Sequence, residues 1–114
     1  MPLVDVTYDQ SVTAAELGML ATELPDLVAA AVDCPEEPWT GPPGVGDLEI
    51  RFRSRAEHDV GELRLVVEVR TKLFDSRVVD RQRRADVIRE HLTGLGLGPV
   101  GVWLILLDGA WSQG

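Results

Sequence analysis

The segment that decides the fold is the N-terminal one, residues 1–17, MPLVDVTYDQSVTAAEL. Leu3–Tyr8 within it is a short run of mostly apolar and aromatic residues, which predicts a strand. Thr13 and Glu16 have the spacing of a capping box, in which the threonine hydroxyl accepts from the Glu16 amide and the carboxylate returns to the cap. A strand that leads within a few residues into a capped helix is the first part of a β-α-β unit.

The predicted helix continues to Val32, because leucine and valine recur at helical spacing up to that residue. Pro25 lies inside it and lacks the amide hydrogen that a helix interior uses, so we expect a kink or a brief break. Residues 33–46 are rich in proline and glycine and predict a loop. Asp47–Arg53 alternates apolar and polar residues, which predicts the strand that completes the unit.

The same order recurs in the second half of the chain. Glu62–Lys72 alternates apolar and polar residues in the manner of a strand. Asp75 or Ser76 is a suitable start for a second helix, and Gly94 is a suitable end. Val100–Leu107 is an almost unbroken apolar run, which is typical of a strand that is covered on both faces.

The sequence therefore predicts an α+β fold of two β-α-β repeats, with a four-stranded mixed sheet and two helices on one face. The length of 114 residues fits one domain, with repeat halves at about 1–55 and 61–114. Connections of this length favour parallel strands within each half. The apolar last strand then needs a cover on the face opposite the helices, which self-association would supply. A ferredoxin-like domain, used for ligand sensing, shares the order of elements and stays open as an alternative.

Composition and charge exclude several classes of protein. A formal net charge of −8 disfavours binding to nucleic acid or to an anionic membrane. Cys34 is the only cysteine, so no disulfide forms within the chain and a cytoplasmic location is expected. We expect no signal peptide and no membrane span, since the apolar runs are too short. His58 and His91 lack neighbouring ligand residues, so no metal site is predicted.

Pro2 is the residue whose chemistry could matter most. Methionine before a small residue such as proline is commonly removed in cells, and Pro2 would then be a free secondary amine. An ordinary α-amino group has a pKa near about 8. Burial or nearby arginines would lower the pKa of the amine, so that it could act as a neutral base at physiological pH. If Met1 is retained, Pro2 has no free amine and this chemistry is impossible.

Four segments of the chain resemble the tautomerase superfamily, and within it the 5-carboxymethyl-2-hydroxymuconate isomerase group. They are residues 2–6 (PLVDV), 24–30 (LPDLVAA), 50–53 (IRFR) and 67–82 (VEVRTKLFDSRVVDRQ). The similar features are a proline in the first helix, an arginine pair on the second strand, and Ser-Arg followed by Asp-Arg-Gln at the start of the second helix. Together the segments extend the resemblance over essentially the whole chain.

The resemblance implies a cofactor-independent keto–enol tautomerase or isomerase of a small 2-oxo or dienol acid. It implies a homotrimer with pockets between subunits, in which Pro2 is the catalytic base. Arg51 and Arg77 would bind a substrate carboxylate. Two features depart from the pattern: nothing basic follows the first strand, and the loop at residues 33–46 is unusually rich in proline. The shape of the pocket is therefore expected to differ.

Other roles for these residues stay open. Trp111 follows the last strand and could line the pocket as a substrate-binding residue or seal a subunit interface. Arg51, Arg53 and Arg70 could pair with Glu49 and Glu68 across strands instead of binding a ligand. Pro2 would then be incidental, and the chain a non-catalytic oligomeric binding or scaffold protein on the same fold.

Overall fold

The computed structural model describes residues 1–44 and 46–114 and has the predicted order of elements. No helix in these ranges has both the length and the apolar character needed to cross a membrane. The elements are β1 (Leu3–Tyr8), α1 (Ala14–Val32), β2 (Glu49–Ser54), β3 (Leu65–Lys72), α2 (Asp75–Val79), α3 (Arg81–Gly94) and β4 (Val100–Leu107).

The four strands form one mixed sheet in the order β2-β1-β3-β4. β1 pairs parallel with β2, β3 pairs parallel with β4, and the central strands β1 and β3 pair antiparallel. The predicted pair of β-α-β units is thus confirmed, and the units lie side by side. In a ferredoxin-like domain another strand separates the two strands of each unit. Here those strands are neighbours, so the ferredoxin-like alternative is wrong.

The helices cover one face of the sheet, as predicted. Apolar residues alternate along β1 and β3, and every second one points into a core shared with α1 and α3. The fully buried side chains of that core include Val4, Val6, Leu20, Leu24, Val28, Leu65, Val67, Val69, Ile88 and Leu92.

Two features of the helices differ from the prediction. α1 continues through Pro25, so the brief break, one of the two predicted outcomes, is absent, and buried leucine and valine on either side of the proline hold the helix against the sheet. The second predicted helix is divided in two, because Asp80 leaves the helical region with φ −125° and ψ 25°.

The Thr13 capping box is confirmed: the Thr13 hydroxyl accepts from the Glu16 amide at 3.1 Å, and the Thr13 amide donates to the carboxylate at 3.0 Å.

The face of the sheet opposite the helices carries charged side chains and the apolar residues of β4. β4 is an edge strand, and Trp103 and Leu107 on it are 67% and 44% exposed. The other edge, β2, has mainly exposed polar residues. Within one chain, the described residues therefore leave the face of β4 opposite the helices exposed, although the sequence predicted that this face is covered.

Candidate functional site

The N-terminal residues lie between two cavities, at the end of the sheet where β1 begins. Met1 lines both cavities, whose volumes are about 320 Å³ and about 270 Å³, and Pro2 lines the second. Pro2 is buried, and its carbonyl accepts a hydrogen bond from the Glu49 amide at 3.1 Å. The proline is thus fixed to both its own strand and β2.

The first and larger cavity is bounded by the last residues of β3 and β4 and by the chain that follows β4. Arg70, Lys72 and Leu107 contribute from the strands, and Trp111 contributes from the C-terminal segment. The Trp111 indole donates to the Gln113 side-chain oxygen at 2.7 Å. The structure thus places Trp111 in a wall of the cavity that Met1 also lines.

The two cationic side chains of this cavity differ in their partners. Arg70 lies 2.8 Å from Asp5 and 3.4 Å from Glu68, so its charge is balanced by two carboxylates. Lys72 is the single lysine of the sequence, and within the described ranges no carboxylate oxygen lies within 4.0 Å of its amine. The Lys72 amine instead lies 5.5 Å from the centre of the Phe74 ring, an arrangement that favours a cation. Lys72 is therefore a cation that an anionic ligand could neutralise.

Glu37 is the carboxylate nearest the N-terminus. It lines both cavities, and one of its oxygens lies 3.9 Å from the Met1 nitrogen and 3.4 Å from an Arg77 nitrogen. The Glu37 amide donates to the Cys34 carbonyl at 3.1 Å, which closes the turn that follows α1. The loop after α1 thus brings an acidic group to the start of β1.

Arg77, which was predicted to bind substrate, is 0% exposed and lies behind this carboxylate. Its Nε donates to the Val32 carbonyl at 2.7 Å and its Nη1 to the Lys72 carbonyl at 2.9 Å. α1 has no basic residue in its last turn, and the last carbonyls of a helix lack partners within it. Arg77 supplies a partner from another helix, so its guanidinium is already engaged by the protein.

A second arginine completes this end of α1. Arg84 of α3 donates to the carbonyls of Ala31 and Asp33 at 2.9 and 2.7 Å, and its Nε lies 2.6 Å from Asp80. Two positive side chains at the negative end of the α1 dipole stabilise that helix. The loop that carries Glu37 therefore starts from a firmly held residue.

Arg51, also predicted to bind substrate, is not brought to Pro2 within one chain. It lies opposite Asp5, three residues along β1 from Pro2, which corresponds to roughly 10 Å along the strand. Its side chain is 73% exposed and lies 3.6 Å from Glu49. Arg51 is absent from the walls of both N-terminal cavities.

The sequence prediction did not single out Glu37, Thr71 and Lys72 at this site. The signal for Lys72 was that it is the only lysine among eleven cationic residues. Thr71 carries a signal as well, because it continues the buried, apolar side of β3 with a hydroxyl group. Glu37 lies in the proline-rich loop and has no local signal, since its position depends on how that loop folds.

The chain has the tautomerase-like fold. Two parallel β-α-β units form one sheet and are joined through antiparallel central strands, and a proline that lines one of two neighbouring cavities precedes the first strand. Among solved structures, the chain is similar to a 5-carboxymethyl-2-hydroxymuconate isomerase from Deinococcus radiodurans R1. The two are 16% identical, the match covers 98% of this chain and 88% of that one, and the TM-score is 0.55. It is also similar to a fused 4-OT (4-oxalocrotonate tautomerase) wild-type symmetric trimer, at 19% identity, 92% and 85% coverage and a TM-score of 0.61.

No family model matches the sequence, and no curated protein matches it. The predicted resemblance to the tautomerase superfamily is confirmed as a likeness of fold.

Proposed function

We propose that the protein is a cofactor-independent keto–enol tautomerase or isomerase of a small 2-oxo or dienol acid, with Pro2 as its base. The observation that carries the proposal is the position of Pro2, which is buried at the start of β1 and lines the second of the two N-terminal cavities. A buried amine has a lower pKa than an exposed one, because burial disfavours the charged form. Such an amine is suited to general base catalysis near neutral pH.

The proposed reaction moves one proton within the substrate. The Pro2 amine, freed by removal of Met1, takes a proton from the carbon or enol oxygen of the substrate and returns it to another position. Negative charge develops on the carbonyl oxygen in between, and a nearby cation stabilises it. No electron pair leaves the substrate, so the step needs no oxidant, reductant or cofactor.

Lys72 and Arg51 are the residues that we propose for the substrate carboxylate. Lys72 lines the cavity beside the N-terminus and has no carboxylate partner in the ranges that the structure describes. Arg51 would reach the cavity of a neighbouring subunit, since in its own chain it is exposed and distant from Pro2. Arg77 would act indirectly, by holding Glu37 and the end of β3 in place. Trp111 would form an apolar wall against the rest of the substrate.

A homotrimer is part of this proposal. The solved 4-OT relative of the same fold is a symmetric trimer. The apolar side chains Trp103 and Leu107 on β4 are exposed in one chain, and a closed ring of copies would supply the cover that they lack. Size-exclusion chromatography with light scattering tests the assembly, and a stable monomer would contradict it.

One observation favours a second function, a non-catalytic oligomeric binding protein on the same fold. Lys72 lines the first cavity and Pro2 the second, so a carboxylate that Lys72 binds need not meet the proline. The same cavity and Lys72 would then bind a small carboxylate without transforming it.

The mature N-terminus and a ketonisation assay separate these functions. Intact mass shows whether Met1 has been removed, and phenylenolpyruvate and 2-hydroxymuconate are the substrates for the assay. We expect Pro2→Ala to lower the rate by at least about 100-fold, the usual contribution of a general base. An otherwise wild-type chain with one extra residue before Pro2 is the matched control, because it keeps the ring but blocks the amine. Equal rates for wild type and both variants would rule out the enzyme.

A further inference from the structure

Thr71 has a buried hydroxyl without a hydrogen-bond partner in the described part of the chain. The residue is 2% exposed, and its Oγ1 is the buried side-chain atom left unpaired there. A buried polar group without a partner destabilises a protein, and in native structures such a group usually has a reason. Thr71 also lines the cavity beside the N-terminus. The hydroxyl therefore indicates a partner that this form of the chain does not supply.

The strand register shows where that partner lies. β1 and β3 pair antiparallel, with Val4 opposite Val69 and Leu3 opposite Arg70. Continued by one residue, the register puts Pro2 opposite Thr71. Both are on the helix side of the sheet, because Pro2 continues the alternation of β1 and both residues are buried. Directly opposed residues have Cβ atoms about 4.5–5.5 Å apart, so this register brings the hydroxyl within reach of the proline ring.

The Pro2 nitrogen changes its chemistry when Met1 is removed. Before removal it is an amide nitrogen without a hydrogen, and its lone pair is delocalised. Hydrolysis of the Met1–Pro2 bond consumes one water, whose hydroxyl goes to the methionine carboxyl and whose hydrogen goes to nitrogen. The product is an amine with one N–H, or an ammonium with two.

We propose that the Thr71 hydroxyl accepts a hydrogen bond from the amine that removal of Met1 creates at Pro2. The bond holds the N–H toward β3, so that the nitrogen's lone pair is available on another side of the ring. Thr71 is then a positioning residue and does not touch the substrate. Its value for catalysis rests on the proposed function, whereas the hydrogen bond itself requires only that Met1 be absent.

Several charged groups share this environment and act on the same amine. Glu37 and Asp47 come from the loop after α1, Arg70 and Lys72 come from β3, and Arg77 of α2 lies behind Glu37. All of them are kept when only Thr71 is changed. A hydrogen bond is stronger when its donor is charged, so the Thr71 hydroxyl should raise the pKa of the Pro2 amine relative to a variant that lacks it.

The first test measures how Thr71→Val, a nearly isosteric substitution, changes the unfolding equilibrium constant of two forms of the full chain. One form begins with Pro2 after methionine aminopeptidase treatment, and the other retains Met1 because that enzyme is inhibited during expression; intact mass verifies both. We expect Thr71→Val to raise the unfolding equilibrium constant roughly 3- to 10-fold in the form without Met1. In the form with Met1 we expect no increase, since only an unpaired hydroxyl is lost. Thr7→Val, on the opposite face of β1, is the matched control and should act equally on both forms.

An equal effect of Thr71→Val on the two forms would overturn the proposal.

The second test titrates the ¹⁵N signal of Pro2 in the processed chain. Its pKa should be lower by about 0.5 or more in Thr71→Val and close to wild type in Thr71→Ser. An unchanged pKa in Thr71→Val would also overturn the proposal.

Neither measurement uses enzyme activity, so a protein without tautomerase activity can still have the hydrogen bond. If the variants do not fold, the crystal structure of the processed wild-type chain decides. A distance from Pro2 N to Thr71 Oγ1 within about 3.2 Å supports the proposal, and one beyond about 3.5 Å overturns it.

Discussion

The two ends of the sheet differ in how their polar groups are satisfied. At the end where β1 finishes, Arg64 makes two hydrogen bonds to the Glu16 carboxylate, at 2.7 and 2.9 Å, and a third to the Ser11 carbonyl at 2.9 Å. Arg55 donates to the carbonyls of Gly61 and Leu63, both at 2.6 Å. We call this the closed end, because its arginines join the surrounding loops to one another.

The end where β1 begins is the open end, and it comprises Met1, Pro2, Glu37, Thr71 and Lys72. Two cavities meet there, the Thr71 hydroxyl is unpaired, and Lys72 lacks a carboxylate partner among the residues that the structure describes. The contrast teaches that the same strands have their polar side chains engaged at one end and partly unengaged at the other. Polar groups that are already satisfied support the fold. Of those that are not, the Lys72 amine is proposed for a ligand and the Thr71 hydroxyl for the Pro2 amine.

The largest expected effect comes from removing Arg77, which lies behind Glu37 of the open end and whose guanidinium is fully engaged by the protein. Arg77→Ala leaves the buried Val32 carbonyl and the partly buried Lys72 carbonyl without their partner. Each unpaired buried group costs about 1–3 kcal/mol, so we expect the free energy of unfolding to fall by about 3 kcal/mol. Urea denaturation at one fixed protein concentration measures it, since an oligomer's stability depends on concentration.

Arg81→Ala is the matched control for this change. Arg81 is exposed and begins the neighbouring helix α3, so its loss should alter the free energy of unfolding by no more than about 0.5 kcal/mol. A similar loss in both variants would mean that Arg77 does not hold the open end together.

Arg77 also shows how far the sequence could predict this site. Local patterns sufficed for β1, for the Thr13 capping box and for β4, because each depends on neighbouring residues. The antiparallel pairing of β1 with β3 depends on the whole fold, and it brings Thr71 and Lys72 to the N-terminal residues. The buried position of Arg77 likewise depends on where α1 ends. The roles of Pro2, Arg51, Arg77 and Trp111 in substrate binding and catalysis stay predictions.

Removing the Lys72 amine from the open end should have a smaller effect. We expect that effect on ligand binding and not on stability. We expect Lys72→Ala to raise the KM for a 2-oxo acid, and the Kd for an unreactive carboxylate, about tenfold, since a hydrogen bond to a charged group is lost. The free energy of unfolding should change by no more than about 0.5 kcal/mol, because the side chain is exposed. Steady-state kinetics and calorimetric titration measure the two constants.

Lys72→Arg keeps the positive charge and should retain most of the affinity. Arg83→Ala, on the exposed side of α3, removes a charge elsewhere and should leave both constants unchanged. A neutral amide analogue of the carboxylate should bind wild type and Lys72→Ala equally. Unchanged constants for the carboxylate in Lys72→Ala would show that the cation of the open end takes no part in binding.

The smallest expected effect is at the closed end and appears only in acid. The side-chain hydrogen bond from Arg64 is the main cause that lowers the pKa of Glu16 from 4.5 to about 2, and the Thr13 amide adds to it. Because the pKa is lower in the folded protein, this stabilisation is fully present above about pH 4.5 and is lost as the pH falls towards about 2. The urea midpoint of wild type should therefore decrease over that interval.

Glu16→Gln isolates the charge, because glutamine also completes a capping box. At neutral pH the variant should be less stable than wild type, and the difference should shrink as the pH falls from 4.5 to 2. Asp9 and Glu36 also have lowered pKa values, so both proteins lose some stability in acid and the difference between them is the quantity to compare. A difference that stays constant with pH would mean that the Arg64–Glu16 pair does not stabilise the closed end through its charge, and the contrast between the two ends would then rest on hydrogen bonds alone.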